Sequence, residues 1–430
     1  MREIRAGAAA AALALGSALA ADVGRSGGGG IDPATCGLLK DVAPAGGDLT
    51  SAAFSPDGRL LALACMDGTV RLLEAPAWKE IRRIPAHPNG VKAVAWGPDG
   101  KMLVTGGSLA VKIWDAATGA ERRSHFPGGF DPGAQRTFGL ACSPVEDALL
   151  FAAEDGILRR WTGFAGEGEP AVAAPEGPYR AAAYSRGGRL AAAAAGGVVR
   201  VWRTDLWELR HTLPAGREVQ SVTFSPDGRR LAAGASGMAV LWDLGRGLKE
   251  VEIEGFAIET ACLAFTPDGR HLIGSGPGGE VRLCEAASGR EVAVLRRPAE
   301  PFTAVAVHPG GKFFATAGPD RHLRVWGPVP AGAERLRPPG FCGIRVQQDA
   351  EGRVAVVEVL PGTAAERARL GVGDLILAVN GVEVRTPTEV IDQISSRFEG
   401  EEAEFRIVRD REVRSVRVRL GRRPPEEPER

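Results

Sequence analysis

Short apolar runs alternate with polar turn sequences along most of the chain, and residues 222–243 show this pattern in its clearest form. Apolar Val222–Phe224 precedes Pro226-Asp227-Gly228, and further apolar runs follow at Leu231–Ala235 and Val240–Trp242. β-Branched and aromatic residues favour strands, whereas Pro, Asp and Gly favour tight turns. The stretch therefore predicts three strands joined by short turns. Because one such unit cannot bury both of its faces, further copies are expected beside it.

The unit recurs at intervals of 42, 46, 42, 40, 41 and 42 residues, measured between the residues that end each first strand. Those residues are Phe54, Trp96, Cys142, Tyr184, Phe224, Phe265 and Val307. The third-strand position that Trp242 occupies is filled in the other copies by Leu73, Trp114, Trp161, Trp202, Cys284 and Trp326. A period of ~40–45 residues with several short strands is typical of β-propeller blades.

Residues 37–330 resemble the WD-repeat family, most closely at Lys112-Ile113-Trp114-Asp115 and Val240-Leu241-Trp242-Asp243. The resemblance implies a β-propeller of seven blades. It also implies that a first strand at Leu38–Val42 pairs with the last blade and closes the ring. The family's His–Ser/Thr–Asp–Trp hydrogen-bond sets are incomplete here: His87 and Trp114 belong to the second repeat, but Ser108 stands where Asp is expected. We therefore do not expect those bonds to carry over.

A different pattern begins after the Pro-rich residues 331–339, which we interpret as a linker. Residues 340–421 predict five strands, a short helix near residues 363–368 and a longer one that starts after Thr386. The segments Val357–Ala365 and Leu370–Gly381 closely resemble a PDZ domain. The arrangement is similar to the circularly permuted bacterial form of the HtrA serine proteases, although their protease domain is absent. The predicted fold class is mainly β, with a seven-bladed β-propeller and a small α+β PDZ domain.

The PDZ resemblance implies a peptide-binding site. The loop Phe341-Cys342-Gly343-Ile344 matches the one that cradles a terminal carboxylate, since consecutive backbone N–H groups form a nest for an anion. The strand Ile344-Arg345-Val346 is then expected to take the peptide as an added strand. Ile391 and Ile394 of the longer helix, with Ile344 and Val346, are expected to form the pocket for its last side chain. Core packing is the alternative role for Phe341 and Ile344.

The N-terminus has the layout of a secretory signal peptide. Charged Met1–Arg5 is followed by an uncharged run from Ala6 to Ala20, and Ala18-Leu19-Ala20 matches a small-residue cleavage site. We predict a signal peptide at residues 1–20, a flexible linker at residues 21–36 and an exported protein, periplasmic or secreted. If the Ala-rich segment is not a signal peptide, a cytoplasmic location is expected. Residues 422–430 are polar and Pro-rich, and are predicted to be disordered.

Composition and motifs give no sign of catalysis. The formal net charge is +0, which offers no argument for nucleic acid or an anionic membrane surface as a partner. The one Gly-x-Ser-x-Gly match, at residues 24–28, lies in the Gly-rich linker and does not follow a predicted strand, and the sequence has no Walker loop or His-Glu-x-x-His motif. The 6 cysteines and 6 histidines are scattered without ligand spacing, so buried thiols and loop histidines are expected rather than a metal site. No cofactor is predicted.

A cation stands two residues before the Trp position in most repeats, at Arg71, Lys112, Arg159, Arg200, Arg282 and Arg324. That spacing puts the cation and the Trp on one face of the strand. One interpretation is a basic ring that binds anions. The favoured alternative is a structural device in which the side-chain stem packs on apolar surface and the charged head lies in water.

The sequence thus favours a noncatalytic interaction scaffold. The propeller would dock one protein partner, and the PDZ domain would bind the apolar C-terminal tail of another protein or peptide. The alternatives are a regulatory or sensor subunit that acts on a protease or other enzyme in trans, and a propeller that holds a small ligand.

Overall fold

The computed structural model of the protein describes residues 31–33, 35–43, 47–108, 110–125, 137–153, 157–163, 170–174, 179–257, 262–276, 279–295, 302–329, 341–349, 351–395, 397 and 400–421. The predicted signal peptide, most of the predicted linker 21–36, the linker 331–339 and the tail 422–430 lie outside these residues. The chain divides into two compact units with the main division between residues 335 and 336, and each is described by itself.

The first unit consists of four-stranded sheets, seven of them in the described part of the chain. Six sheets contain four consecutive strands each, and the seventh joins β1 to β28, β27 and β26. The strands of this unit are β1 (Cys36–Val42), β2 (Leu49–Phe54), β3 (Leu60–Cys65), β4 (Thr69–Glu74), β5 (Lys79–Pro85), β6 (Val91–Trp96), β7 (Met102–Gly107), β8 (Val111–Asp115), β9 (Glu121–His125), β10 (Thr137–Cys142), β11 (Ala148–Ala153), β12 (Leu158–Thr162), β13 (Pro170–Ala174), β14 (Tyr179–Tyr184), β15 (Leu190–Ala195), β16 (Val198–Arg203), β17 (Glu208–Pro214), β18 (Val219–Phe224), β19 (Arg230–Ala235), β20 (Met238–Asp243), β21 (Leu248–Glu254), β22 (Leu263–Phe265), β23 (His271–Ser275), β24 (Val281–Glu285), β25 (Glu291–Leu295), β26 (Ala304–Val307), β27 (Phe314–Ala317) and β28 (Leu323–Pro328).

The residues that define the repeat face one another across each sheet. Phe224, the last residue of β18, is opposite Leu231 of β19, which is opposite Trp242 of β20. The same register recurs in the other six sheets. The predicted first-strand ends and Trp positions are therefore confirmed. They form a row of large side chains, fully buried at Phe224 and Leu231, that fills the space between neighbouring sheets.

The recurring Ser-Pro-Asp-Gly sequence is explained by the turn between the first two strands of a sheet. Ser225 Oγ donates a hydrogen bond to Asp227 at 2.6 Å, and the Arg229 N–H donates to the same carboxylate oxygen at 3.0 Å. Gly228 adopts φ +68°, which glycine tolerates without a steric cost. Although burial alone would raise the pKa of Asp227, these bonds lower it overall. The Asp side chain thus fastens its own turn.

The sheets follow one another in a closed ring. The first strands β2, β6, β10, β14, β18, β22 and β26 contact each other in that order, and β26 contacts β2. The Thr303 hydroxyl donates to the Leu49 carbonyl at 2.8 Å across this last junction. β1 pairs with β28 and places Leu38 opposite Trp326. The predicted pairing of the N-terminal strand with the last sheet is therefore confirmed, and the strand begins two residues earlier than predicted, at Cys36.

At least four of the repeated cations are paired with acidic side chains of their own sheets, namely Arg71, Lys112, Arg282 and Arg324, which corrects the expectation that their heads lie in water. Arg71 has a side chain only 1% exposed and is 3.0 Å from Asp67 and 3.5 Å from Glu80. Lys112 contacts Glu121 in the same way, at 2.9 Å. A charge that loses its hydration needs an opposite charge nearby, which the turn and the outer strand supply here. The cations therefore do not form a free basic ring.

One of the hydrogen-bond sets expected to be missing is partly present. His87 Nε2 lies 2.8 Å from Thr105 Oγ1, which also accepts a bond from Trp114 Nε1 at 2.9 Å. Trp326 donates to Thr316 in the same manner at 2.9 Å. His87 is 5% exposed, so it is a buried structural residue and not the surface histidine that its loop position suggested. Burial lowers the pKa of His87 to about 4.

The second unit contains one six-stranded sheet and two helices within the described residues. The sheet order is β29-β30-β31-β33-β34, and the short β32 pairs with β31. Its elements are β29 (Ile344–Gln348), β30 (Val354–Val359), α1 (Ala364–Arg367), β31 (Leu375–Val379), β32 (Val382–Glu383), α2 (Pro387–Ser395), β33 (Glu402–Arg409) and β34 (Glu412–Arg419). Every predicted strand and helix of this unit is present within two residues at its start. Asn380 and Gly381 both have positive φ, as their hairpin turn requires.

Candidate functional site

The second unit has an open sheet edge at β29. This strand pairs with β30 on one side and has no other strand beside it in the described part of the unit. Helix α2 packs against β29 and β31. An edge strand beside a helix leaves a groove in which an extended peptide can add to the sheet.

The hydrogen bonds of β29 alternate so that the backbone N–H and C=O groups of Ile344 face the open edge of the sheet. The Leu360 N–H donates to the Gly343 carbonyl at 2.9 Å, and Ile344 stands opposite Val359. In an antiparallel ladder this makes Ile344 and Val359 a non-hydrogen-bonded pair, so the Ile344 N–H and C=O point away from β30. Val346, two residues on, presents its backbone to the same side. The open edge of β29 therefore offers backbone hydrogen-bond donors and acceptors at Ile344 and Val346.

The loop before β29 has its carbonyl groups occupied. The Cys342 carbonyl accepts from the Ala365 N–H at 2.8 Å, and the Gly343 carbonyl accepts from Leu360. Phe341 is held by two backbone bonds with Gly421, at 2.9 and 3.0 Å. The loop is thus fastened on both sides, by the start of α1 and by Gly421, two residues after β34.

Two N–H groups of this loop have no acceptor. No hydrogen bond from the Cys342 or Gly343 N–H to any described residue is formed, although both residues are buried. Buried backbone donors are almost always paired, so two consecutive unpaired ones need an explanation. Adjacent N–H groups aimed at one place form an anion-binding concavity. Gly343, with φ +87°, supplies the backbone conformation that aligns them.

The apolar residues predicted for the pocket lie beside this edge but differ in their roles. Ile344 and Val346 are half-buried and pack on the domain core. Ile394 of α2 is 8% exposed and is part of that core, so it lies at the floor of the groove. Ile391 is 55% exposed and lies at the rim. Arg345 points to the other face of the sheet, where it contacts Glu358 at 3.0 Å.

Hydrogen bonds fix the position of α2 relative to the sheet. The Glu389 N–H donates to Thr386 Oγ1 at 3.3 Å, as predicted for an N-cap. The Glu389 carboxylate accepts from the Arg385 N–H at 2.6 Å, one residue earlier than the predicted capping box, and this bond lowers its pKa. Gln348 at the end of β29 donates to the Arg385 carbonyl at 2.8 Å. The far end of the groove is therefore tied to the start of the helix.

The thiol of the loop before β29 is not activated as a nucleophile. Burial raises the pKa of the Cys342 thiol to about 12, which keeps it protonated at neutral pH. Within the described ranges, no three His, Cys, Asp or Glu side chains are grouped so that they could hold a metal ion. Neither described helix has the length and apolar character needed to cross a bilayer.

Sequence reasoning predicted a site at this loop and strand but missed the residues that fix their positions. Leu360, Ala365 and Gly421 hold the loop through backbone groups, which leave no trace in side-chain identity. In the ring, the missed residues are Thr105 and Thr316. Both occupy the same position of the second strand, and aligning the repeats would have shown that these two copies alone combine Thr there with a Trp.

Comparisons with known proteins agree with this division of the chain. Residues 340–420 match the model "PDZ domain". Residues 42–73, 78–115, 207–243 and 289–327 match the model "WD domain, G-beta repeat". The chain therefore contains WD repeats and a PDZ domain.

The similar curated proteins are WD-repeat proteins. The mouse (Mus musculus) "Telomerase protein component 1" is 24% identical over 271 residues, which cover 61% of this chain and 10% of that protein. The chicken (Gallus gallus) "Serine-threonine kinase receptor-associated protein" is 22% identical over 324 residues, 74% of this chain and 89% of that protein. "Centriole proteome protein 16" of Chlamydomonas reinhardtii is 27% identical over 346 residues, 68% of this chain and 15% of that protein. The chain thus spans only about a tenth of the length of the mouse protein.

Proposed function

We propose that this protein is a noncatalytic interaction scaffold whose PDZ domain binds the C-terminal tail of a partner protein. The observation that carries the proposal is the pair of unpartnered N–H groups at Cys342 and Gly343, at the end of an open sheet edge. A terminal carboxylate satisfies both donors. A strand added beside β29 satisfies the outward backbone groups of Ile344 and Val346.

The groove favours an apolar residue at the end of the tail. The last side chain of the peptide lies between β29 and α2, over buried Ile394 and against half-buried Ile344 and Val346. Ile391 at the rim adds apolar area that is 55% exposed in the free protein. Since α2 starts with Pro387, Thr388 and Glu389 and has no His there, no preference for Ser or Thr near the end of the tail is expected.

The WD-repeat ring serves in this proposal as the docking surface for a second protein. We take it to be a complete seven-bladed propeller, and the PDZ domain to be of the HtrA type. Two similar proteins carry names that describe parts of assemblies, a telomerase component and a receptor-associated protein, which supports a scaffold role. We include in the same proposal the domain limits predicted from the sequence and the prediction that the protein is exported.

The proposal is tested by titrating the full chain with paired peptides that end in Val, Leu or Ile and differ only in a free or an amidated C-terminus. We expect binding of the free acids and at least a tenfold loss on amidation, about 1.4 kcal/mol or more. Ile391→Asp should weaken binding without unfolding, because Ile391 is exposed. Val413→Asp is the matched control, since Val413 is 62% exposed and lies on the opposite edge strand β34. Equal affinity for the free and amidated peptides would refute the assignment.

A further inference from the structure

The turn between β14 and β15 lacks a carboxylate that four of the six corresponding turns contain, at Asp57, Asp99, Asp227 and Asp268. Asp57, Asp227 and Asp268 each accept a hydrogen bond of 2.6 Å from the Ser or Thr two residues before them. Each also accepts a bond of 3.0 to 3.1 Å from the N–H two residues after it. In the turn Ser185-Arg186-Gly187-Gly188, Gly187 occupies the place of the Asp.

The two donors that normally bind the Asp are still present. Ser185 is 4% exposed, and its Oγ accepts from the Leu190 N–H at 3.0 Å, as in the other turns. Among the described residues, nothing accepts the Ser185 hydroxyl proton or the Arg189 N–H. A buried hydroxyl retained without its partner is costly, unless something else fills the vacant position.

The vacant position opens into a cavity. A pocket of about 540 Å³ is lined by the 185–190 turn, by Arg203–Asp205, by Arg210 and by the 226–228 turn of the next sheet. A Cβ placed on Gly187 would meet nothing within 4 Å. This volume lies in the range of small-ligand sites, about 300–1,000 Å³.

The pocket also carries excess positive charge. Arg189, Arg203 and Arg210 line it against two carboxylates, Asp205 and Asp227, and Arg203 is paired with Asp205 at 2.5 Å. No acidic side chain in the described part of the ring pairs with Arg189 or Arg210. The next sheet shows the usual arrangement, since Glu250 stands at the position of Arg210 and pairs with Arg230 at 2.7 Å.

We propose that this pocket binds a ligand with two or more carboxylates, one of which takes the place of the missing Asp. That carboxylate accepts from the Ser185 hydroxyl and the Arg189 N–H, as the Asp does in the other turns. A second carboxylate pairs with the guanidinium groups of Arg189 and Arg210, which match its two oxygens. The source is either a free small organic acid or an Asp/Glu-rich segment of a protein partner.

The test uses the full chain and the variant Gly187→Asp, which restores the arrangement of the other turns. Binding of succinate, citrate and an Asp-Glu-Asp-Glu peptide is measured by calorimetry, with sodium phosphate at matched ionic strength for comparison. We expect at least about tenfold weaker binding by Gly187→Asp, together with a higher melting temperature in the absence of ligand. Arg210→Glu, which copies the Glu250 of the next sheet, should lose binding as well. Arg59→Ala, at the same turn position of the first sheet as Arg189, should not.

The outcomes separate the two sources. Binding of citrate or succinate identifies a free acid, and binding of the peptide alone identifies an acidic protein segment. The proposal is overturned if none of the carboxylates binds, if phosphate binds as tightly as they do, or if Gly187→Asp binds them like the unaltered chain.

Discussion

A Cβ on Gly343 would lie 2.2 Å from the Cβ of Thr363, so the loop before β29 and the start of α1 leave no room for a side chain between them. Thr363 precedes α1 as its N-cap, and its hydroxyl donates to the Leu360 carbonyl at 2.6 Å. The close approach therefore couples the loop to α1. Together with φ +87° at Gly343, it explains why the loop needs glycine at this position.

Gly343→Ala is predicted to distort the loop and abolish peptide binding. Both the clash and the positive φ oppose the side chain, so we expect a loss of about 2–4 kcal/mol in the free energy of unfolding. Gly352→Ala is the matched control, since Gly352 has φ +77° but nothing within 4 Å of a Cβ. It should cost about 1–2 kcal/mol and leave peptide affinity unchanged. Denaturant unfolding and peptide titration of both variants measure these effects.

Deleting residues 22–45 is predicted to destabilise the ring. The deletion removes β1, which pairs with β28 and places Asp41 2.6 Å from His322 and 3.5 Å from Arg324. Without β1, the backbone of β28 has an unpaired edge. We expect a lower melting temperature and a less cooperative transition, measured by calorimetry. Deleting residues 1–20 leaves β1 in place and serves as the control. An unchanged melting temperature in the larger deletion would contradict ring closure by β1.

His87 is predicted to make the stability of the ring depend on pH. Burial lowers the pKa of His87 to about 4, below the ordinary 6.5, because the charged form is poorly solvated beside Thr105. The folded state then binds fewer protons than the unfolded state between these values. The contribution is fully present above about pH 6.5 and is lost as the pH falls toward 4, by roughly 3 kcal/mol in total.

The measurement compares the free energy of unfolding at pH 7.5 and pH 5 in the unaltered chain and in His87→Gln. The variant should be less stable at pH 7.5 but less sensitive to acid than the unaltered chain. Equal acid sensitivity in the two proteins would show that His87 is not responsible.

Asp374→Asn is predicted to destabilise the PDZ domain. Its side chain is 2% exposed and accepts two bonds of 2.6 Å from Arg409 and one of 2.8 Å from the Gly371 N–H. Although burial raises the pKa of Asp374, these bonds lower it overall. Removing the charge leaves Arg409 without its partner, at a cost of about 2–4 kcal/mol. Glu412→Gln breaks the exposed pair with Arg414 and should cost less than about 1 kcal/mol. Urea unfolding of both variants tests the difference.

The sequence was sufficient for the elements that depend on local pattern. The first-strand ends such as Phe224, the Trp positions and the Asn380-Gly381 turn follow from periodicity and turn chemistry, which act over a few residues. The pairing of β1 with β28 was implied by the resemblance to WD-repeat propellers. Features that depend on which side chains meet after folding were wrong or missing. The exposed cation heads were one such error, because the positions of Asp67 and Glu80 around Arg71 are set by folding.

The candidate site was likewise predicted from the sequence only in part. The motif around Gly343 indicated the loop, but it did not reveal that Cys342 and Gly343 keep free N–H groups, since that depends on which carbonyls Ala365 and Leu360 occupy. The PDZ resemblance placed Ile391 and Ile394 in one pocket. The structure puts Ile394 in the core and Ile391 at the rim, because residues three apart on α2 are rotated by about 60° around its axis.

The most direct test of the central claim follows the Cys342 amide in the full chain labelled with ¹⁵N-cysteine, with Cys342→Ser to assign its signal. A free-acid peptide with an apolar end is titrated against its amidated form. The account predicts that the Cys342 N–H signal moves downfield with the free acid and stays in place with the amide, since only a carboxylate gives this donor a charged acceptor. A bound free acid that leaves the Cys342 signal unmoved would contradict the account.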